Sequence, residues 1–151
     1  MMQDALEKYN SYGGEWIKAY FDELSGGYLV VDKQRIEQGS INKQEKIKYD
    51  KEYNMCLILA QNGYKVEYLK ITESSFDIYL NGISADLKKT SGSGNIVRYA
   101  KKAIHEQGAK IVIFEFEKES IEIYAKLEHV KKINIHGKYY FSNKKNFIHA
   151  F

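Results

Sequence analysis

The chain has 151 residues, with 23 Lys and Arg against 20 Asp and Glu and a formal net charge of +3. That length supports one domain with a real hydrophobic core, and the single cysteine, Cys56, excludes an internal disulfide. No apolar run approaches ~18 residues and the N-terminus has no signal-peptide apolar region, so no membrane partner is expected and reducing conditions at the site of action are.

Residues 1–12 are polar and expected to fray. Ile17, Tyr20, Phe21 and Leu24 fall on one stripe and predict a helix over 15–24, ended by Gly26-Gly27. Tyr28 to Val31 reads as a short strand. After a loop at Gly39-Ser40, Ser40 or Asn42 is placed to cap a helix over 43–62. Gly63 stands where a left-handed C-terminal cap is wanted. Cys56 lies in the apolar run of this helix and reads as a buried, inert thiol. A strand over 64–71 and a turn over 72–75 follow. Next comes a hairpin centred on Asn81-Gly82, the pair that best tolerates positive φ in a type I′ turn. A polar loop over 90–95 leads to a helix over 96–107 that closes at Gly108. The apolar segment 110–116 predicts a central strand, 118–132 a helix, and 133–141 a last strand or hairpin around Gly137. No repeat or linker composition marks an internal boundary, so 1–151 reads as a single domain. The fold class is α/β: a mixed β-sheet with an αβββαβ core over about 43–117, and helix-strand additions at both ends.

The hairpin carries the chemistry. Its first strand bears Asp77 and its second bears Asp86 and Lys88. Strand side chains alternate, so Asp86 and Lys88 share one face while Ala85 and Leu87 point to the core. Aspartate is disfavoured inside a strand, and a violated propensity often marks function. The plain alternatives are an exposed strand carboxylate and an edge-strand charge. Two carboxylates and an ammonium on one sheet face suggest a divalent-metal hydrolase site.

The helix that follows adds cations. Arg98, Lys102 and His105 share a face, with Lys101 beside them, and six basic side chains stand against two acidic ones between Asp86 and Lys110. Such a patch suits a polyanion; the plain alternative is a solvated helix face. Ser91, Ser93 and Asn95 are placed to contact phosphate or to cap that helix. The tail after Glu128 has no acidic residue, and Lys131, Lys132, Lys138, Lys144 and Lys145 alternate with aromatics, a pattern that suits unpaired nucleotides or a terminal strand's inner face. The four histidines lack zinc spacing, and no nucleophile-elbow motif exists.

The order α-β-β-β-α-β with these residues resembles the PD-(D/E)xK, or restriction-endonuclease-like, nuclease superfamily. Glu52-Tyr53-Asn54-Met55 followed by Leu59 to Tyr64 resembles its first helix. Phe76-Asp77 stands where Pro-Asp is usual, and Asp86-Leu87-Lys88 stands for the (D/E)xK element. The departure at Phe76 leaves the carboxylate in place. A narrower resemblance is to the C-terminal nuclease domains of contact-dependent growth-inhibition toxins and to related phage and mobile-element proteins. It rests on Gly26 to Val31, on Asn81-Gly82 with Ala85 to Lys88, and on Asn95 to Arg98 before Ala100 to Ala103.

These resemblances imply a nuclease, with Asp77, Asp86 and Glu52 around Mg²⁺ or Mn²⁺ and Lys88 at the attacking water and phosphate. They imply RNA above DNA as substrate, tRNA included, and action in the bacterial cytoplasm. They also imply an acidic immunity or inhibitor protein that covers Lys88, Arg98, Lys101 and Lys102. Two alternatives stand beside this reading. One is a metal-free ribonuclease of the barnase, EndoU or colicin kind using Lys102, His105 and a hydroxyl. The other is a non-catalytic nucleic-acid-binding module.

Overall fold

The computed structural model describes residues 2–73 and 75–151. The elements run α1 (Met2–Ser11), β1 (Trp16–Phe21), β2 (Tyr28–Asp32), α2 (Lys33–Gln38), α3 (Lys43–Gln61), β3 (Lys65–Tyr68), β4 (Ile78–Leu80) and β5 (Ile83–Thr90). They continue with α4 (Ile96–Lys101), a π turn (Lys102–Glu106), β6 (Ile111–Phe116), α5 (Ile121–Lys132), β7 (Gly137–Phe141) and β8 (His149–Ala150). The stretch α3-β3-β4-β5-α4-β6 is the αβββαβ order read from the sequence, and the fold is mixed α/β.

The described residues form two compact units. One holds the chain up to Glu73 together with Asp77–Gly82, and the other holds Ile83–Phe151. The chain leaves the first at the Asn81-Gly82 turn, where φ is 49° and 82°, as a type I′ turn requires. Within the first unit the strands lie in the order β1-β2-β3-β4. The β1–β2 and β3–β4 pairs are antiparallel and β2–β3 is parallel. Helix α3 packs on β2 and β3 and buries Met55, Cys56, Leu59 and Ala60. It starts where expected, because the Asn42 side chain accepts from the Glu45 amide at 2.9 Å, and it ends at Gly63 with φ 95°.

Within the second unit the order is β5-β6-β7-β8, parallel, parallel and antiparallel. Its core joins Ile96, Ala100 and Ala103 to Val112, Phe114 and Phe116, and to Ile123, Leu127 and Val130 of α5. β6 is buried from Val112 to Phe116, which suits a strand paired in parallel on both sides.

Several local expectations are corrected. The stretch expected to fray is α1, held because Ala5 is buried and Tyr9 packs against Phe21 and Tyr28 at 5.4 and 5.6 Å. The helix expected over 15–24 is β1. Pairing with β2 overrides the helical stripe, and a register shift between Lys18 and Tyr20 breaks the alternation that would have revealed a strand. Leu24, the last member of that stripe, is exposed. Helix α2 was not anticipated. It is nucleated by Asp32, whose carboxylate accepts from the Gln34 amide at 2.8 Å. Helix α5 begins later than expected, after Ser120 caps the Ile123 amide. Residues 133–135 form no strand, because Asn134 turns the chain at φ 66°. Part of the turn expected over 72–75, at Ser74, lies outside the described residues. Among the described residues no helix is long and apolar enough to cross a membrane.

Candidate active site

The second unit assembles a polar array from its interior to its surface. Asp86 sits on β5 in register with Val112 of β6, and it is 0% exposed. The expectation that Ala85 and Leu87 point to the core while Asp86 takes the other face is corrected in one respect, since that other face is buried too. Ser84, Ala85, Asp86 and Leu87 are all buried, as in parallel strands covered on both sides. A carboxylate so placed needs partners. Lys88, two residues on and on the same face, brings Nζ to 2.9 Å from Oδ2. Gln107, with its amide oriented to donate, lies 2.8 and 3.1 Å from Oδ1 and Oδ2. Gln107 reaches that position from the end of the π turn, where its backbone N–H bonds the Lys102 carbonyl at 3.0 Å. Such insertions shift the face on which the next side chain emerges.

Lys88 leads outward. Its side chain is 16% exposed, and Nζ lies 5.6 Å from the centre of the Tyr99 ring. The Arg98 guanidinium sits 4.9 Å from the same ring and donates to Asn95 Oδ1 at 2.8 Å. Arg98, Lys101, Lys102 and His105 line one open groove of about 420 Å³ with Glu106. Arg98, Lys102 and His105, expected to share a face, do line it together, with Lys101 beside them. Asn95 is spent on Arg98 and makes no side-chain cap. Ser91 is exposed and Ser93 half-buried in the preceding loop.

The first unit contains the other two expected carboxylates. Glu52 of α3 is 7% exposed; its Oε1 accepts from Arg35 Nη2 at 3.3 Å and from the Tyr68 hydroxyl at 2.9 Å. Arg35 of α2 is fully buried, its guanidinium 5.3 and 5.1 Å from the Tyr49 and Tyr68 ring centres. Burial first, and then the Glu52 charge, pushes the Tyr68 phenol far above its usual range. Asp77 is half-buried just before β4, and its backbone carbonyl accepts from the Leu69 amide at 3.0 Å. Burial, followed by the charges of Glu52 and Asp77, also drives the Cys56 thiol well up, which makes it the inert group expected.

The implied divalent ion can be tested against these donors. Among the described residues no group of three or more His, Cys, Asp or Glu side chains gathers to hold a metal. Mg²⁺ keeps several waters and is commonly held by one or two carboxylates. Turning the Gln107 amide from its donating orientation would free Asp86 Oδ1 and set an amide oxygen beside it, a hard donor pair that fits such an ion in kind while Lys88 keeps Oδ2.

Sequence reasoning missed Gln107, Tyr99 and Arg35. None sits in a motif. Gln107 depends on a π turn that periodicity does not show, and Arg35 on a helix that carries no apolar stripe. The basic, aromatic tail resolves toward its structural alternative. Tyr140 and Phe141 are buried, and Tyr139 and Phe151 pack on the core.

No family model matches the chain, and no curated protein matches it. Among solved structures, the chain is similar to a chain of the CdiA-CT/CdiI toxin and immunity complex from Burkholderia pseudomallei. The two are 16% identical, with a TM-score of 0.56, over 74% of this chain and 89% of the other. The likeness is one of fold.

Proposed function

We propose that this chain is a nuclease of the restriction-endonuclease-like kind that cleaves RNA in preference to DNA, tRNA included, and acts as a toxin in the bacterial cytoplasm. The observation that carries the proposal is the array from buried Asp86 through Lys88 and Tyr99 to Arg98, which ends on the groove lined by Arg98, Lys101, Lys102 and His105. In this reading Asp86 holds the Lys88 ammonium in place. Lys88 steadies charge that develops on the phosphate, a role whose loss costs about 10²–10³ in rate. The groove cations grip the flanking phosphates. Mg²⁺ or Mn²⁺, when bound, would be held by Asp86 and Gln107 and would supply Lewis-acid polarisation of the phosphate. The likeness in fold to a chain of a toxin and immunity complex supports the toxin reading. It also supports an acidic inhibitor that covers the groove by steered association.

The test incubates purified protein with total RNA and with plasmid DNA, in Mg²⁺, in Mn²⁺ and in EDTA. RNA fragmentation that fails in EDTA is expected. Asp86→Asn and Lys88→Met should each lower it about 10²-fold or more. Asp77→Ala and Glu52→Gln test the first unit's carboxylates in the same assay. Uncut RNA, or wild-type rates in both second-unit variants, refutes the reading. Lys102 and His105 line the same groove, which favours the metal-free ribonuclease as the second reading. Cleavage that persists in EDTA and leaves a 2′,3′-cyclic phosphate would identify it.

A further inference from the structure

A second concavity lies wholly within the first unit and has no part in the array above. It encloses about 680 Å³, within the range of small-ligand sites. Lys65 and Glu67 project from one face of β3, two residues apart, while Val66 and Tyr68 between and beyond them are buried. Tyr28 of β2 lies opposite Lys65 in the parallel pair. Lys8 and Tyr12 form one wall and the Asn81-Gly82 turn another. That turn is fixed to the site, since Asn81 Oδ1 accepts from the Lys65 amide at 2.8 Å.

The polar groups are arranged rather than scattered. The Tyr12 hydroxyl donates to Glu67 Oε2 at 2.9 Å and lies 3.1 Å from the Tyr28 hydroxyl. Burial above all, then the bonds to Tyr28 and Glu67, raises the Tyr12 phenol well above its usual value, so it stays a donor. Lys8 Nζ sits 5.2 Å over the Tyr12 ring. Neither Lys8 nor Lys65 makes an ion pair among the described residues. The pocket thus holds two ammonium groups beside a carboxylate with one oxygen committed to Tyr12. A purely acidic ligand would meet Glu67. A cationic one would meet both lysines. The combination fits a ligand with an anion at one end and hydroxyl donors at the other.

We propose that this pocket binds a ribonucleotide, with the phosphate on Lys8 and Lys65 and a ribose hydroxyl donating to Glu67. The choice of ligand rests on the nuclease reading. The carboxylate supplies a physical basis for choosing RNA over DNA, because only a ribonucleotide brings a 2′-hydroxyl to it.

The protein carries its own reporter. Trp16 is the only tryptophan, and its ring packs edge-on against Tyr12 at 5.5 Å. The experiment titrates the 151-residue chain carrying Asp86→Asn, followed by Trp16 fluorescence. The probes are the four ribonucleoside 5′-monophosphates, their 2′-deoxy counterparts, and single-stranded RNA and DNA of one sequence. Ribo forms are expected to bind about tenfold tighter than deoxy forms, the worth of one hydrogen bond to a charged group. Glu67→Gln should bring that ratio close to one, and Lys8→Ala with Lys65→Ala should weaken ribo and deoxy forms alike. Monophosphates that saturate the signal as tightly as the strand identify a free nucleotide as the ligand. Strand binding much tighter than monophosphate binding identifies a nucleotide of the RNA chain. A ribo-to-deoxy ratio of one, or an unchanged ratio in Glu67→Gln, overturns the proposal, as does a flat Trp16 signal with every probe. RNA cleavage by the Asp86-containing protein alongside a flat signal defeats the pocket alone. Selective binding without any cleavage defeats the nuclease reading alone.

Discussion

Arg35→Met tests the most costly arrangement in the first unit. Arg35 is fully buried and Glu52 nearly so, and they meet at 3.3 Å. Removing the cation leaves a buried carboxylate with the Tyr68 hydroxyl as its remaining hydrogen-bond partner among the described residues, and breaking such a pair costs about 3–5 kcal/mol. For a chain of this length that is a fall in Tm of roughly 6–20 °C. Replacing both members is different in kind. The pair is not fully satisfied, since Nη1 of Arg35 has no hydrogen-bond partner among the described residues. Arg35→Met with Glu52→Met removes both buried charges at once. What then remains is the Tyr68 hydroxyl without its acceptor, about 1–3 kcal/mol. The double variant is therefore expected to be more stable than the single one. Thermal melts followed by Trp16 fluorescence and by far-UV circular dichroism measure both. A single variant within about 1 kcal/mol of wild type, or a double variant no better than the single, refutes the reasoning.

Glu115 should give the second unit an acid limb. Its burial raises the carboxyl pKa, but hydrogen bonds from Ser142 and Tyr140 and the Lys89 ammonium outweigh this, and the net shift is downward. A lowered folded pKa contributes stability above the unfolded value of about 4.3, which is lost as pH falls through the folded one. The Tm gap between wild type and Glu115→Gln should therefore shrink below about pH 4.5; a constant gap from pH 3 to 7 would contradict the ion pair. Gly137→Ala should destabilise by about 1–3 kcal/mol or more, because its Cβ would stand 1.8 Å from the Val112 carbonyl oxygen. Gly92→Ala meets nothing within 4 Å and serves as the control, so equal melts of the two would count against the close approach. Cys56 should resist alkylation until the protein is denatured, and fast stoichiometric labelling of native protein would show the thiol is not buried.

The sequence by itself determined what depends on neighbours in the chain. Asn42 and Gly63 mark the ends of α3 through bonds that close within a turn. Asn81-Gly82 specifies its turn because both residues accept positive φ. The order α3-β3-β4-β5-α4-β6 follows from those signals and from hydrophobic periodicity. The shared face of Asp86 and Lys88 follows from strand alternation alone, and that of Arg98, Lys102 and His105 from helical spacing. Tertiary structure decided what depends on partners remote in sequence. Trp16 to Phe21 became a strand because β2 lay beside it, against a helical stripe of its own. Asp86 became buried because β5 has a parallel neighbour and Gln107 meets its carboxylate. Glu52 found Arg35 17 residues away, on a short helix with no apolar stripe to announce it. Periodicity states which side of an element a residue takes. What meets that side, and so whether a charge is solvated, paired or available for chemistry, is decided only when distant segments pack.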